Sequence, residues 1–283
     1  MSPPRPARTH AAARGAGLPA ISPWLLGWFG RYTRWYLRRH FHAVRVSSGG
    51  WLPDNENAVP KVVYLNHPAW WDPLVCLHLA RSFFAAHRGY APIMAEAVEK
   101  YPFFRRLGFF GVEPETARGA AAFLRTSQAI LAGPWTMLWV TPQGRFADVR
   151  ERPVRFRHGL GHLAARVGAA RPGHAARVQF LPLALEYTWW HERLPEVLLR
   201  FGTPLEVTTA NRRAHDPEGW TRELEGRLEA TMDALAADAR ARDPEKFLNL
   251  LAGRAGVGGV YDAWRRLKAA VRGRPFDPRH GRL

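Results

Sequence analysis

The chain is poor in cysteine, in lysine and, over its first fifth, in acid. A single cysteine in 283 residues, Cys76, excludes an intramolecular disulfide and any zinc site built on several thiolates. Flanked by Leu74, Val75, Leu77 and Leu79, it reads as a small packing hydrophobe. No acidic residue precedes Asp54, whereas eight arginines do. No apolar run reaches the ~18 residues needed to span a bilayer. The longest candidate, Ala129–Val140, is interrupted by Gly133, Pro134 and Thr136. Residues 1–20 are rich in Pro, Ala and Arg and hold no apolar stretch of the signal-peptide kind. A Walker-type loop, a Gly-x-Ser-x-Gly elbow and a recognisable nucleic-acid module are all missing, which argues against a serine hydrolase in particular.

What is present is apolar and basic. Hydrophobic residues make up 47% and aromatics 12%, enough for a sizeable core and against global disorder. Lys+Arg number 41 against 24 Asp+Glu, a net charge of +17, which points to an anionic partner. Nucleic acid and an anionic membrane surface both fit that charge. Only four of the basic residues are lysine, so part of the excess reflects composition rather than function.

Short β-like runs appear at Val62–Leu65, Pro92–Met94, Phe109–Val112, Met137–Thr141, Phe180–Leu185 and Val197–Phe201. Helical patterns lie between and after them at Pro73–Phe84, Arg118–Leu131, Gly159–Val167 and Pro217–Ala237. The alternation predicts an α/β fold, with a central mostly parallel or mixed sheet flanked by helices. Amphipathic basic helices are expected at both ends. From Pro23, the aromatics Trp24, Trp28, Tyr32, Trp35 and Tyr36 recur at helical spacing beside Arg31, Arg34 and Arg38. Such a helix suits a membrane interface, rings at headgroup depth and guanidinium groups on phosphates; packing on the domain is the other reading. In the tail, Val260, Trp264, Leu267 and Val271 form a second stripe with the same two readings. The expected organisation is a flexible basic arm (1–20), an interface helix (21–46), an α/β body (47–240) and a basic helical extension (241–283).

One segment carries chemistry. Leu65-Asn66-His67-Pro68-Ala69-Trp70-Trp71-Asp72-Pro73 follows a predicted strand and precedes a predicted helix, where α/β sheets place their sites. A His followed five residues later by Asp folds back within one turn. The carboxylate then bonds the imidazole Nδ1–H and leaves Nε2 free as a base. Alone, that spacing is a weak signal.

The segment resembles the first motif of the glycerolipid acyltransferases, the family of lysophosphatidic acid and related lysophospholipid acyltransferases. The second block would be Leu107–Glu113, the third Val140-Thr141-Pro142-Gln143-Gly144-Arg145, and the fourth Leu181-Pro182-Leu183-Ala184. The likeness covers roughly residues 60–190 and rests on order and spacing, each block being weak alone. It implies transfer of a fatty acyl group from acyl-CoA or acyl-carrier protein to a lipid hydroxyl, with no bound cofactor and no metal. His67 would take the hydroxyl proton, and Asp72 would orient the imidazole. Asn66 and Gly144 would shape the pocket, Gln143–Arg145 would contact acceptor or thioester, and Pro182 would mark the fourth block's share of the substrate site. Trp70 and Trp71 would line the acyl path or touch lipid, unless they belong to the core. Backbone N–H groups near the third block would bind the oxyanion.

Two departures bear on the acceptor. Glu113-Pro114-Glu115 stands where the family's second block usually carries an arginine, and the third block's arginine comes one place early, at Arg145. A phosphate monoester favours bidentate guanidinium donors, so the acceptor is either lysophosphatidic acid held by Arg118 or Arg145, or another lysolipid or glycolipid. The implied location is the cytoplasmic face of the cell membrane, peripheral or monotopic, with no nucleic acid and an open oligomeric state. The rivals are a non-catalytic lipid-binding or nucleic-acid-binding protein. Two signals are set aside: the i,i+4 pair His158 and His162, which lacks a third metal ligand, and Gly159-x-Gly161-x-x-Ala164, which does not follow a clean buried strand.

Overall fold

The computed structural model describes residues 18–53, 57–169, 176–256 and 268. Within them the chain runs α1 (Pro23–His40), β1 (Ala43–Ser47), β2 (Lys61–Leu65), α2 (Asp72–Phe83), β3 (Arg88–Met94), α3 (Ala95–Lys100), α4 (Phe103–Arg106), β4 (Phe109–Val112) and α5 (Ala117–Leu131). It continues through β5 (Thr136–Val140), α6 (Gly159–Ala165), β6 (Arg177–Thr188), β7 (Glu196–Phe201), β8 (Leu205–Thr208), α7 (Pro217–Ala241) and β9 (Phe247–Ala252). The fold is α/β, as the alternation predicts.

All nine strands join one mixed sheet in the order β4-β3-β5-β2-β6-β7-β1-β9, with β8 paired to β6. The half from β4 to β6 is parallel. Its strands therefore end on one edge, and that edge receives the loops carrying the first and third sequence blocks, while the second block spans strand β4 itself. Strand β2 is buried along its whole length, as a strand covered on both faces must be. Val62 and Tyr64 face a core closed by α5, α6 and α7, while Val63 and Leu65 face one closed by α1 and α2. Pro182 sits inside β6 without orphaning a bond: β8 pairing ends at Phe180 and β7 pairing starts at Leu183.

Local chemistry sets the helix starts. Asp216 accepts the Gly219 N–H at 2.6 Å, Pro217 opens α7, and Thr116 accepts the Gly119 N–H at 2.9 Å before α5. Ser22 and Pro23 do the same for α1.

The expected boundaries change at both ends. The helix of the 21–46 segment stops at His40, and residues 43–46 enter the sheet as β1 between β7 and β9. Arg45 gives this strand a basic look in sequence, but its guanidinium is paired with Glu196 inside the protein. The 241–283 segment likewise contributes β9 to the sheet edge. Leu18 and Ile21 pack against the larger core, so the end of the 1–20 arm is part of the body. Residues 1–17 and the Val260–Val271 stripe lie outside the described residues.

Candidate active site

His67 leaves the carboxyl end of β2, and Asp72 is the first residue of α2. The turn brings His67 Nδ1 to 2.6 Å from Asp72 Oδ2. The carboxylate offers no proton, so Nδ1–H donates and Nε2 is the ring nitrogen left for chemistry. Asp72 is sequestered, its side chain 2% exposed, whereas that of His67 is 20% exposed. Two further donors hold the carboxylate: the Tyr187 hydroxyl at 2.6 Å on Oδ1 and the Ala69 N–H at 3.3 Å on Oδ2. Burial and the neighbouring Asp72 charge raise the Tyr187 pKa, so this hydroxyl stays protonated and donates. Asp72 is thereby held in place under the imidazole by three hydrogen bonds.

The third block clamps the same histidine. The His67 N–H donates to Gln143 Oε1 at 3.3 Å, and the Ala147 N–H donates to the His67 carbonyl at 3.0 Å. Gly144 makes the turn possible: its φ is +67°, and any Cβ there would collide with the Arg157 guanidinium. Phe146 stacks obliquely on the His67 ring, centroids 4.3 Å apart, while remaining largely exposed.

These groups stand at one part of a cleft of about 1860 Å³. Its walls include α1 through Leu26 and Phe29, α2 through Leu77 and Ala80, and the β3–β4 side through Ile93 and Phe104. The cleft is predominantly apolar and reaches from His67 as far as His87 and Arg88.

The structure redistributes the expected substrate contacts. Trp70 is exposed and lines the cleft, whereas Trp71 packs on Tyr36, His40 and Phe41, tying α2 to α1. Asn66 does not face the cleft. Its amide exchanges two hydrogen bonds with the backbone of Leu185, at 2.8 and 2.9 Å, and so extends the β2–β6 pairing by one step. Gln143 is buried against the His67 backbone, a positioning role rather than a substrate contact. Arg145 lines the cleft but is held by Glu151. Arg118 is exposed on the first turn of α5 and is not part of the cleft wall, nor is the buried Pro182.

Sequence reasoning missed Tyr187, Phe146 and Arg157. Arg157 donates to Glu115 at 2.7 Å and to the Pro114 carbonyl at 3.1 Å, joining the second block to the third. Tyr187 follows Leu183 and Leu185 at period two along β6, which puts it on the α2 face next to the end of β2. That alternation was the available signal.

Among the described residues no cluster of three or more His, Cys, Asp or Glu is placed to hold a metal, and no helix is long and apolar enough to cross a membrane. On the surface, Trp24, Trp28 and Trp35 of α1 are exposed, Trp24 by 76%. No protein-family model matches the chain, and no curated protein matches it.

Proposed function

We propose that this chain is a membrane-associated O-acyltransferase of the glycerolipid-acyltransferase type, moving a fatty acyl group from acyl-CoA or acyl-carrier protein to a lipid hydroxyl. The observation that carries this reading is the Tyr187–Asp72–His67 chain at a long apolar cleft. A base with one free nitrogen supplies proton transfer, and the cleft suits an acyl chain.

In this reading His67 Nε2 takes the acceptor hydroxyl proton as that oxygen attacks the thioester carbonyl. Asp72 stabilises the imidazolium that forms. The tetrahedral intermediate collapses with loss of the thiolate, which recovers the proton from His67. The oxyanion falls to the third block, where the Gly144 and Ala147 N–H groups already donate to Thr141 and His67 carbonyls. The Arg145 and Phe146 N–H groups between them are the ones we assign to it.

The acceptor class stays as broad as the sequence makes it, lysophosphatidic acid or another lysolipid or glycolipid. The pairing of Arg145 with Glu151 and of Arg157 with Glu115 does not favour a phosphate monoester there. The test is a mass-spectrometric transfer assay with acyl-CoA and acyl-carrier protein against lysophosphatidic acid, other lysophospholipids and glycosylated lipids. Product from wild type and none from a folded His67→Ala variant is expected. Normal transfer by that variant would refute the mechanism.

A further inference from the structure

Where α1 crosses α2, the buried residues of α1 are Gly30, Thr33 and Leu37, and those of α2 include Val75, His78 and Leu79. Leu37, Val75 and Leu79 belong to one apolar cluster. Beside that cluster lie two polar atoms with nothing to bond. Thr33 Oγ1 and His78 Nε2 are both buried and have no hydrogen-bond partner, in residues 1% and 6% exposed. Native interiors rarely leave such atoms unmatched.

Two guanidinium groups stand at the rim. Arg34 lies one turn on from Gly30, and Arg81 one turn on from His78. Arg81 approaches α1 closely, running across the bare backbone of Gly30, where a Cβ would meet its Cδ and Nε at 2.6 Å. Burial, and then the charges of Arg34 and Arg81, hold the His78 pKa down at about 4, so its ring is neutral at pH 7. Among the described residues neither arginine has an ion pair or hydrogen bond. Helix α1 contains no acid, and the single acid of α2, Asp72, is committed to His67 and Tyr187.

All four groups can donate: a hydroxyl, a neutral imidazole through an Nε2–H and two guanidinium forks. The missing partner is an acceptor with several lone pairs and negative charge. A water would satisfy Thr33 and His78, whereas an anion would in addition meet the two exposed guanidinium groups at the rim. We propose that the α1–α2 seam is a phosphate-binding site, formed by Thr33, Arg34, His78 and Arg81, that takes the phosphate oxygens of a membrane lipid headgroup. The lipid source follows from position. Arg34 lies on the flank of α1, between the face buried on α2 and the face exposing Trp24, Trp28 and Trp35. A phosphate there would sit at the depth at which those rings enter an interface. This site rests on the membrane-associated part of the reading above.

The test measures binding, not turnover. Full-length protein and the variants Arg81→Gln, Thr33→Val and Arg31→Gln are sedimented with phosphatidylglycerol–phosphatidylcholine vesicles. In parallel, the His78 Nε2 resonance is followed by ¹⁵N NMR during titration with inorganic phosphate. General attraction predicts roughly a fivefold loss for any one exposed arginine, Arg31 included. A built site predicts about tenfold or more for Arg81→Gln, and a loss for the uncharged, isosteric Thr33→Val that Thr33→Ser restores. Loss of vesicle binding in both site variants supports the headgroup site. A His78 resonance moved by inorganic phosphate, with vesicle binding unaffected by the variants, overturns the lipid source in favour of a soluble phosphate. Thr33→Val indistinguishable from wild type, Arg81→Gln no worse than Arg31→Gln and a silent His78 resonance overturn the site. A protein that binds phosphate yet transfers no acyl group keeps this site and loses the proposed reaction, so the two fail separately.

Discussion

Helices α1 and α7 lie on opposite faces of the same sheet and handle their charge in opposite ways. On α7, Glu223, Glu225, Asp233 and Asp238 are paired with Arg227, Arg155, Arg152 and Arg200. Glu225 and Glu229 also accept the Phe156 and Val154 N–H groups, each at 2.7 Å, and so fasten the stretch after the third block. Every one of these charges is answered inside the molecule. Helix α1 carries Arg31, Arg34, Arg38 and Arg39 with no acid at all. The last two meet the helix dipole at its C-terminus. Arg31 and Arg34 have no such compensation, and the tryptophans beside them face solvent. The difference teaches that α7 spends most of its carboxylates on internal pairs, whereas among the described residues α1 leaves its arginines and tryptophans facing solvent.

Four perturbations test that division. On the α2 side, Asp72→Asn should lower kcat/KM by about three to four orders of magnitude, because the amide misorients the imidazole tautomer. The near-ultraviolet circular dichroism should be unchanged. Loss of the fold instead would mean that the dyad also supports the scaffold. Replacing Trp24, Trp28 and Trp35 together by alanine should weaken binding to anionic vesicles by on the order of a hundredfold, from lost interfacial area, with little effect on the melting temperature. A large drop in melting temperature would make α1 a packing helix like α7.

On the α7 side, Glu225→Ala should destabilise the protein by about 2 kcal/mol in urea unfolding, since the Phe156 N–H is left buried without an acceptor. Vesicle binding by the remaining folded protein should not change. The smallest effect is one of pH. Burial, with nearby cationic charge, holds His78 and His87 at about 4, below the ordinary 6.5, whereas the unfolded chain protonates near 6.5. The unfolded state therefore binds protons first, and stability present above about pH 6.5 is lost as pH falls toward 4. Urea midpoints at pH 7.5, 6 and 4.5 should decline in that order, and the double variant His78→Gln/His87→Gln should flatten the slope.

The parts of the candidate site that could be read in the sequence were local. His67 and Asp72 are five residues apart, and one turn with two prolines is enough to join them. Gly144 was expected only through the likeness of the third block, as a pocket residue; its φ of +67° shows that it makes the turn behind His67. Tyr187 was not, because it meets Asp72 across 115 residues, through the parallel pairing of β2 with β6. The same pairing turned Asn66 from an expected pocket residue into a clasp on Leu185. Strands β1 and β9 were hidden for a related reason. Arg45 and Asn249 disguise them, and only their pairing with each other and of β1 with β7 makes them strands.

By itself, then, the sequence determined the α/β alternation, the turn that joins base to carboxylate, and the concentration of arginine and aromatics on α1. These are consequences of periodicity, turn chemistry and composition, which act over a few residues. The tertiary structure alone decided which charges are spent internally and which are left over. Arg145, Arg152, Arg155, Arg157 and Arg200 look no different from Arg34 and Arg81 as letters, yet folding brings a carboxylate to each of the first five. A charge is neutralised by what lies within a few ångströms of it, and that distance is set by the packing of elements far apart in the chain.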